Sequence, residues 1–210
     1  MNARKRCAST ASASAPPSDV TASPTSPAST AKVTVSPEEF TFVKYDAAEI
    51  AAIVAELAEQ LEIANPIRVV VDETTPLAKV YEEIDAASSD ATITLHAESG
   101  ALEDRKHPMS FSATGAREAL GRVLLRAHDR MRADFADAPA DLELSLEENA
   151  AWDTYCAGRL ERMGVETNQQ RWRYNHRNRF GFHDGVDAAF DALWAADDLG
   201  WSDVMSTAGA

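Results

Sequence analysis

The stretch RWRYNHRNRF at 171–180 concentrates more reactive and binding groups than any other part of the chain. Arg171, Arg173, Arg177 and Arg179 fall on odd positions, and Trp172, Tyr174, His176 and Phe180 on even ones. A guanidinium presents a planar fork of donors that fits carboxylates and phosphates, and an aromatic face stacks on nucleobases. The period of two predicts an extended segment, and Asn175, Asn178 and Gly181 agree, being poor helix formers. Extended geometry puts the arginines on one face, with near neighbours roughly 6–7 Å apart, and Trp172, Tyr174 and Phe180 on the other. Two chemistries follow. One is a groove for phosphate or single-stranded nucleic acid. The other is an internal clasp, in which the arginines pair with the protein's own acids. With 34 carboxylates and a net charge of −14, the clasp is the expected one. Arg171, Trp172, Arg173, Tyr174, Arg177 and Arg179 are the candidate interaction residues either way.

A second constellation is His96-x-Glu98, with His107 nine residues beyond Glu98. On one strand face, the first two could join the third as zinc ligands of a metal-dependent hydrolase. No cysteine pair accompanies them, so the H-x-E…C-x-x-C deaminase pattern is absent. The trio closes only if the loop 99–106 folds back over the strand. That loop mixes Glu103 and Asp104 with Arg105 and Lys106, as a solvated turn does. His128, His176 and His183 stand without a second ligand at recognised spacing. There is no G-x-S-x-G elbow and no phosphate-binding glycine loop. Cys156 falls on an apolar helix face and reads as a small core residue. Cys7 and Cys156 make no disulfide framework. Asp72-Glu73 and Glu82-Glu83 are adjacent acids that point apart, and solvation is their expected state. No cofactor and no metal is predicted.

The segment REALGRVLLRAHD (117–129) is similar in texture to the motif helix of the zincins, in which H-E-x-x-H precedes an apolar run. The order helix, sheet, motif helix, second helix resembles that of minimal zincins, and EENAAWDTYCAGRL (147–160) stands where the second helix belongs. The likeness covers about 70–160. Glu118 and Arg122 occupy the positions of the two histidines, and Ala119 that of the catalytic glutamate. The resemblance implies a scaffold that carries no zinc.

The elements that must position these groups are legible to different degrees. Residues 1–34 are Ala, Ser, Thr and Pro with almost no large apolar side chain, which predicts a disordered tail. The basic start, MNARKRC, lacks the apolar run of a secretory signal. Residues 36–45 alternate, which predicts a short strand or extended lead-in. Asp46 with Glu49 is a capping-box pattern opening a helix over 47–63, closed by Asn65-Pro66. IRVVVDE (67–73) predicts a strand buried on both faces. Residues 77–84 fit a strand or a helix. ATITLHAE (91–98) alternates, with Ile93, Leu95 and Ala97 inward. Residues 114–134 predict a helix with Ala116, Leu120, Val123, Leu124, Ala127 and Met131 as its apolar stripe. Arg122, Arg126 and Arg130 step by four along its flank. Ser145 with Glu148 opens another helix, for which Gly164 is the C-terminal cap. Asp184 is the expected N-cap of a last helix over 185–196.

The order predicts an α+β fold, a small mixed sheet with helices packed on it, in one domain spanning 35–210. No stretch approaches the roughly 20 apolar residues of a membrane span. The reading is a non-catalytic cytoplasmic module that binds another macromolecule, with a protein as the expected partner. Two alternatives stand beside it: the hydrolase around His96, Glu98 and His107, and a nucleic-acid binder working through 171–179.

Overall fold

Alternation of branched and polar residues makes four short strands, and parallel pairing brings three of them together. The computed structural model describes residues 31–84 and 90–209. Strands β1 (Val33–Ser36), β2 (Ile67–Asp72), β3 (Val80–Ile84) and β4 (Ile93–Glu98) form a sheet of order β1-β2-β4-β3. β1, β2 and β4 run parallel, and β3 is an antiparallel edge. Helix α1 (Ala47–Gln60) is the crossover between β1 and β2. The tail expected over 1–34 is therefore too long at its C-terminal end. Residues 1–30 lie outside the described residues, but Ala31 is buried and Val33 already pairs with Ile67. The strand expected within 36–45 sits earlier, with only Ser36 of that stretch in β1, paired with Val70, and beyond it Lys44 makes an isolated bridge to Ser110.

Only one face of β2 is buried. Ile67, Val69 and Val71 point into the core, whereas Arg68 and Asp72 are exposed and Val70 is half-buried. β4 follows the same rule, with Ile93, Leu95 and Ala97 inward. The run of branched residues in β2 is thus a β propensity signal more than a burial signal. Of residues 77–84, Val80–Ile84 form the antiparallel edge strand β3. The segment expected as a polar loop after β4 makes a 3-10 turn at Ser99–Ala101 and a hairpin of β5 (Glu103–Asp104) with β6 (His107–Phe111).

The helices follow their caps. The Asp46 carboxylate accepts from the Ala48 N–H at 2.8 Å. Helix α1 ends earlier than Asn65-Pro66, because Glu62 takes a left-handed turn (φ 55°) and the Ile63 N–H donates back to the Ala58 carbonyl. Helix α2 (Ala113–Arg130) begins at Ser112 and stops at Met131, short of residue 134. Helix α3 (Leu146–Arg162) carries the expected capping box of Ser145 and Glu148, and Gly164 (φ 84°) takes the left-handed position after it. Helices α4 (Gln169–Phe180), α5 (Asp184–Ala195) and α6 (Trp201–Ala208) complete the fold. Asp184 lies in the first turn of α5, and His183 holds the cap position without a side-chain bond. The main core joins the sheet to α1, α2, α3 and α6, and a smaller one joins Ala157, Trp172, Phe190 and Trp194. The class is α+β. Among the described residues, no helix is long and apolar enough to cross a membrane.

Candidate functional site

The arginine segment is a helix, not an extended strip. The Asn168 carboxamide accepts from the Arg171 N–H at 3.0 Å, and Gly181 (φ 112°) ends the helix with its N–H on the Arg177 carbonyl at 2.8 Å. Trp172 and His176, one turn apart, are its buried residues. At about 100° per residue the four arginines separate into two sets. Arg173 and Arg177 turn toward α5. Arg177 grips the Asp187 carboxylate with two bonds of 2.7 and 2.5 Å, and Arg173 reaches Asp191. Arg171 and Arg179 are exposed and enter no ion pair. Tyr174 is exposed and meets Phe182 edge-on at 6.1 Å. His176 is fully buried, with neither ring nitrogen bonded, between Phe180 and Phe190. Burial, with Arg173 nearby, pushes its pKa down to about 4.

The arginines of α2, expected along a flank, run through a buried seam. Arg122 donates to Asp153 at 2.5 Å. Arg126 donates to Asp153 at 2.6 Å, to Asp141 at 3.1 Å and to the Asn149 carboxamide at 3.0 Å. Arg130 pairs with Glu82 and Asp141 and donates to the Ala138 and Pro139 carbonyls. Asp141 also accepts from the Glu82 N–H at 3.1 Å, which caps the outer edge of β3. Glu82 is accordingly not a solvated acid. It is buried, and its burial together with the nearby Asp141 charge pushes its pKa up to about 7 against the pull of Arg130 and Arg126. Cys156 is buried as expected, and burial raises its thiol pKa.

The zincin-like positions serve packing. α1, the sheet, α2 and α3 follow one another in the order the resemblance implies. Glu118 accepts from the Trp172 indole N–H at 2.7 Å, and the Arg122 guanidinium lies over the Trp172 ring at 5.0 Å. The trio His96, Glu98 and His107 does not assemble. His96 stacks on Tyr81 and faces Glu83 at 3.2 Å, while His107 sits 3.4 Å from Asp104 in the hairpin. Residues 99–106 form a turn and hairpin in place of a flap over β4. Among the described residues, no group of three or more His, Cys, Asp or Glu could hold a metal ion.

What the helices do bring together is a cleft of about 280 Å³ between α3 and α4. α3 contributes Leu146, Asn149, Ala150 and Asp153, and α4 contributes Trp172, Asn175, Asn178 and Arg179. These are positions i, i+3, i+4, i+7 on one helix and i, i+3, i+6, i+7 on the other, one face of each. Asp153 at the floor is neutralised by Arg122 and Arg126. Asn175, Asn178 and Arg179 spend no side-chain bond on the fold. A larger cleft of about 350 Å³ lies beside Glu56 and Arg117, but there the arginine is paired with the glutamate. The asparagines of the smaller cleft were legible only as helix-breaking residues; once α4 is helical, their spacing aligns them with Arg179. Comparison with family models, with curated proteins and with solved structures finds no match.

Proposed function

We propose that the chain is a non-catalytic, cytoplasmic binding module that engages a protein partner through the α3–α4 cleft. One observation carries the reading. Among the described residues nine arginines form ion pairs with the chain's own acids, while Arg68, Arg105, Arg171 and Arg179 form none. Arg171 and Arg179 both stand on α4. In a chain of net charge −14, cations left unpaired beside one cleft are available to something else.

A single-stranded nucleic acid would need an aromatic platform in the same cleft. Trp172 is buried there, held edge-on by Glu118, and the exposed Tyr174 turns away from the cleft stripe. That favours a protein. The test is quantitative affinity capture from native lysate, with and without ribonuclease, using wild type and the Asn175→Ala/Asn178→Ala variant. A protein retained by wild type and lost by the variant, with unchanged melting temperature, supports the reading. Capture that is indifferent to the variant, or abolished by ribonuclease, overturns it.

A further inference from the structure

We infer that the α3–α4 cleft takes an extended peptide segment bearing an acidic side chain. This rests on the proposed cleft function and specifies its ligand. Three carboxamides converge there: Asn149 from α3, and Asn175 and Asn178 from α4. A carboxamide offers donors and an acceptor in one plane, the same pattern as a peptide group. Asn149 commits its oxygen to Arg126 at 3.0 Å, which turns its amide nitrogen into the unspent group. Asn175 and Asn178 commit neither end. Such a set matches the alternating carbonyl and N–H groups of an extended chain better than it matches a bare anion, which would use donors alone.

Charge fixes the side chain. The cleft floor is an internally neutralised cluster, since Asp153 is held by both Arg122 and Arg126. The unpaired charge at the cleft wall is Arg179, and Arg171 lies eight residues earlier on α4, about 12 Å along the helix axis. A carboxylate on Arg179 gains a forked, charge-assisted pair. Arg171 extends the same positive field along the path of the chain. Leu146, 60% exposed at the other wall, gives an apolar neighbour to the acidic residue a place to rest. At about 280 Å³ the cleft is near the small end of ligand sites, which run from about 300 Å³ upward, so it suits a short piece of chain.

The test uses the full chain and a cellulose-bound array of acetylated hexapeptides, read with fluorescently labelled protein. The best hexapeptides are then measured in solution. Labelled oligouridine is titrated in parallel. Arg179, Asn175 and Asn178 make no side-chain hydrogen bond or ion pair within the fold, so their variants should melt close to wild type. The expected result is enrichment of Asp or Glu at one position of the bound peptides. Asn175→Ala/Asn178→Ala should weaken the best peptide by about tenfold or more, and Arg179→Glu should shift the array preference toward lysine. An array without acidic preference, or a preference that Arg179→Glu leaves unchanged, overturns the inference. So does saturable oligouridine binding that Arg179→Glu abolishes. If the array fails while the lysate partner still depends on Asn175 and Asn178, the peptide assignment falls and the binding function stands.

Discussion

Two buried groups should cancel each other in the pH dependence of stability, and single substitutions should unmask them. Glu82 has its folded pKa raised from 4.5 to about 7, by burial first and by Asp141 second. The native state therefore holds a proton that the unfolded chain has released. The stability this contributes is fully present below pH 4.5 and is lost as pH rises through about 7. His176 has its folded pKa lowered from 6.5 to about 4 by burial and Arg173. Its contribution is fully present above pH 6.5 and is lost as pH falls toward 4. Each gap corresponds to at most about 3.5 kcal/mol at about 1.4 kcal/mol per pH unit. The windows overlap between pH 4.5 and 6.5, where the two slopes oppose each other. The acids whose pKa is lowered, among them Asp72 and Asp153, act below this range. Urea denaturation of wild type should thus give a nearly flat profile from pH 5 to 6.5. Glu82→Gln should turn it into a rise with pH of about 2 kcal/mol, and His176→Phe into a fall of similar size. The double variant should be flat again. If Glu82→Gln keeps the wild-type profile, the Glu82 carboxyl is ionised in the fold at pH 6 and the reasoning fails.

Other perturbations test the seams directly. Arg126→Met strips the shared counter-charge from Asp141 and Asp153 and should cost about 3–5 kcal/mol in urea denaturation. Adding Asp153→Asn should recover part of that loss. At Gly158 an added Cβ would sit 2.1 Å from the Trp194 carbonyl oxygen, so Gly158→Ala should separate α3 from α5 and cost about 1–3 kcal/mol, seen as a lower melting temperature. Deleting residues 1–30 should move the melting temperature by no more than about a degree, because that composition supplies almost no core side chains. Deleting through Ser36 removes β1 with the half-buried Val33 and Val35 and should cost about 2 kcal/mol or more.

The parts of the fold that were legible are those in which one local signal suffices. Asp46 and Ser145 cap their helices with side chains that the sequence displays, and Ile93, Leu95 and Ala97 alternate inward as their spacing dictates. α4 was not legible, because its helical state depends on distant partners. Its buried residues are an indole bonded to Glu118, 54 residues away, and a histidine between aromatic rings, while Asp187 and Asp191 on α5 hold Arg173 and Arg177. The alternation of arginine and aromatic residues was coincidental. β1 and α6 were missed for another reason, their length. Trp201, Val204, Met205 and Ala208 do carry the spacing i, i+3, i+4, i+7, in a helix of only eight residues.

The two arginine ladders show where sequence reading stops and what the structure adds. In the sequence, Arg122, Arg126 and Arg130 show only as a flank stepping by four beside an apolar stripe. Their acids arrive from β3, from the loop holding Asp141 and from α3, and no local pattern links these segments to α2. With 34 acidic against 20 basic residues, almost any arginine that the fold surrounds with chain will meet a carboxylate. An arginine left without one is therefore the informative case. Arg179 is exposed on the wall of a cleft whose asparagines also hold unspent bonds. The alanine and charge-reversal variants there remove no hydrogen bond or ion pair of the fold, so a loss of binding at unchanged melting temperature can be read as loss of a ligand contact.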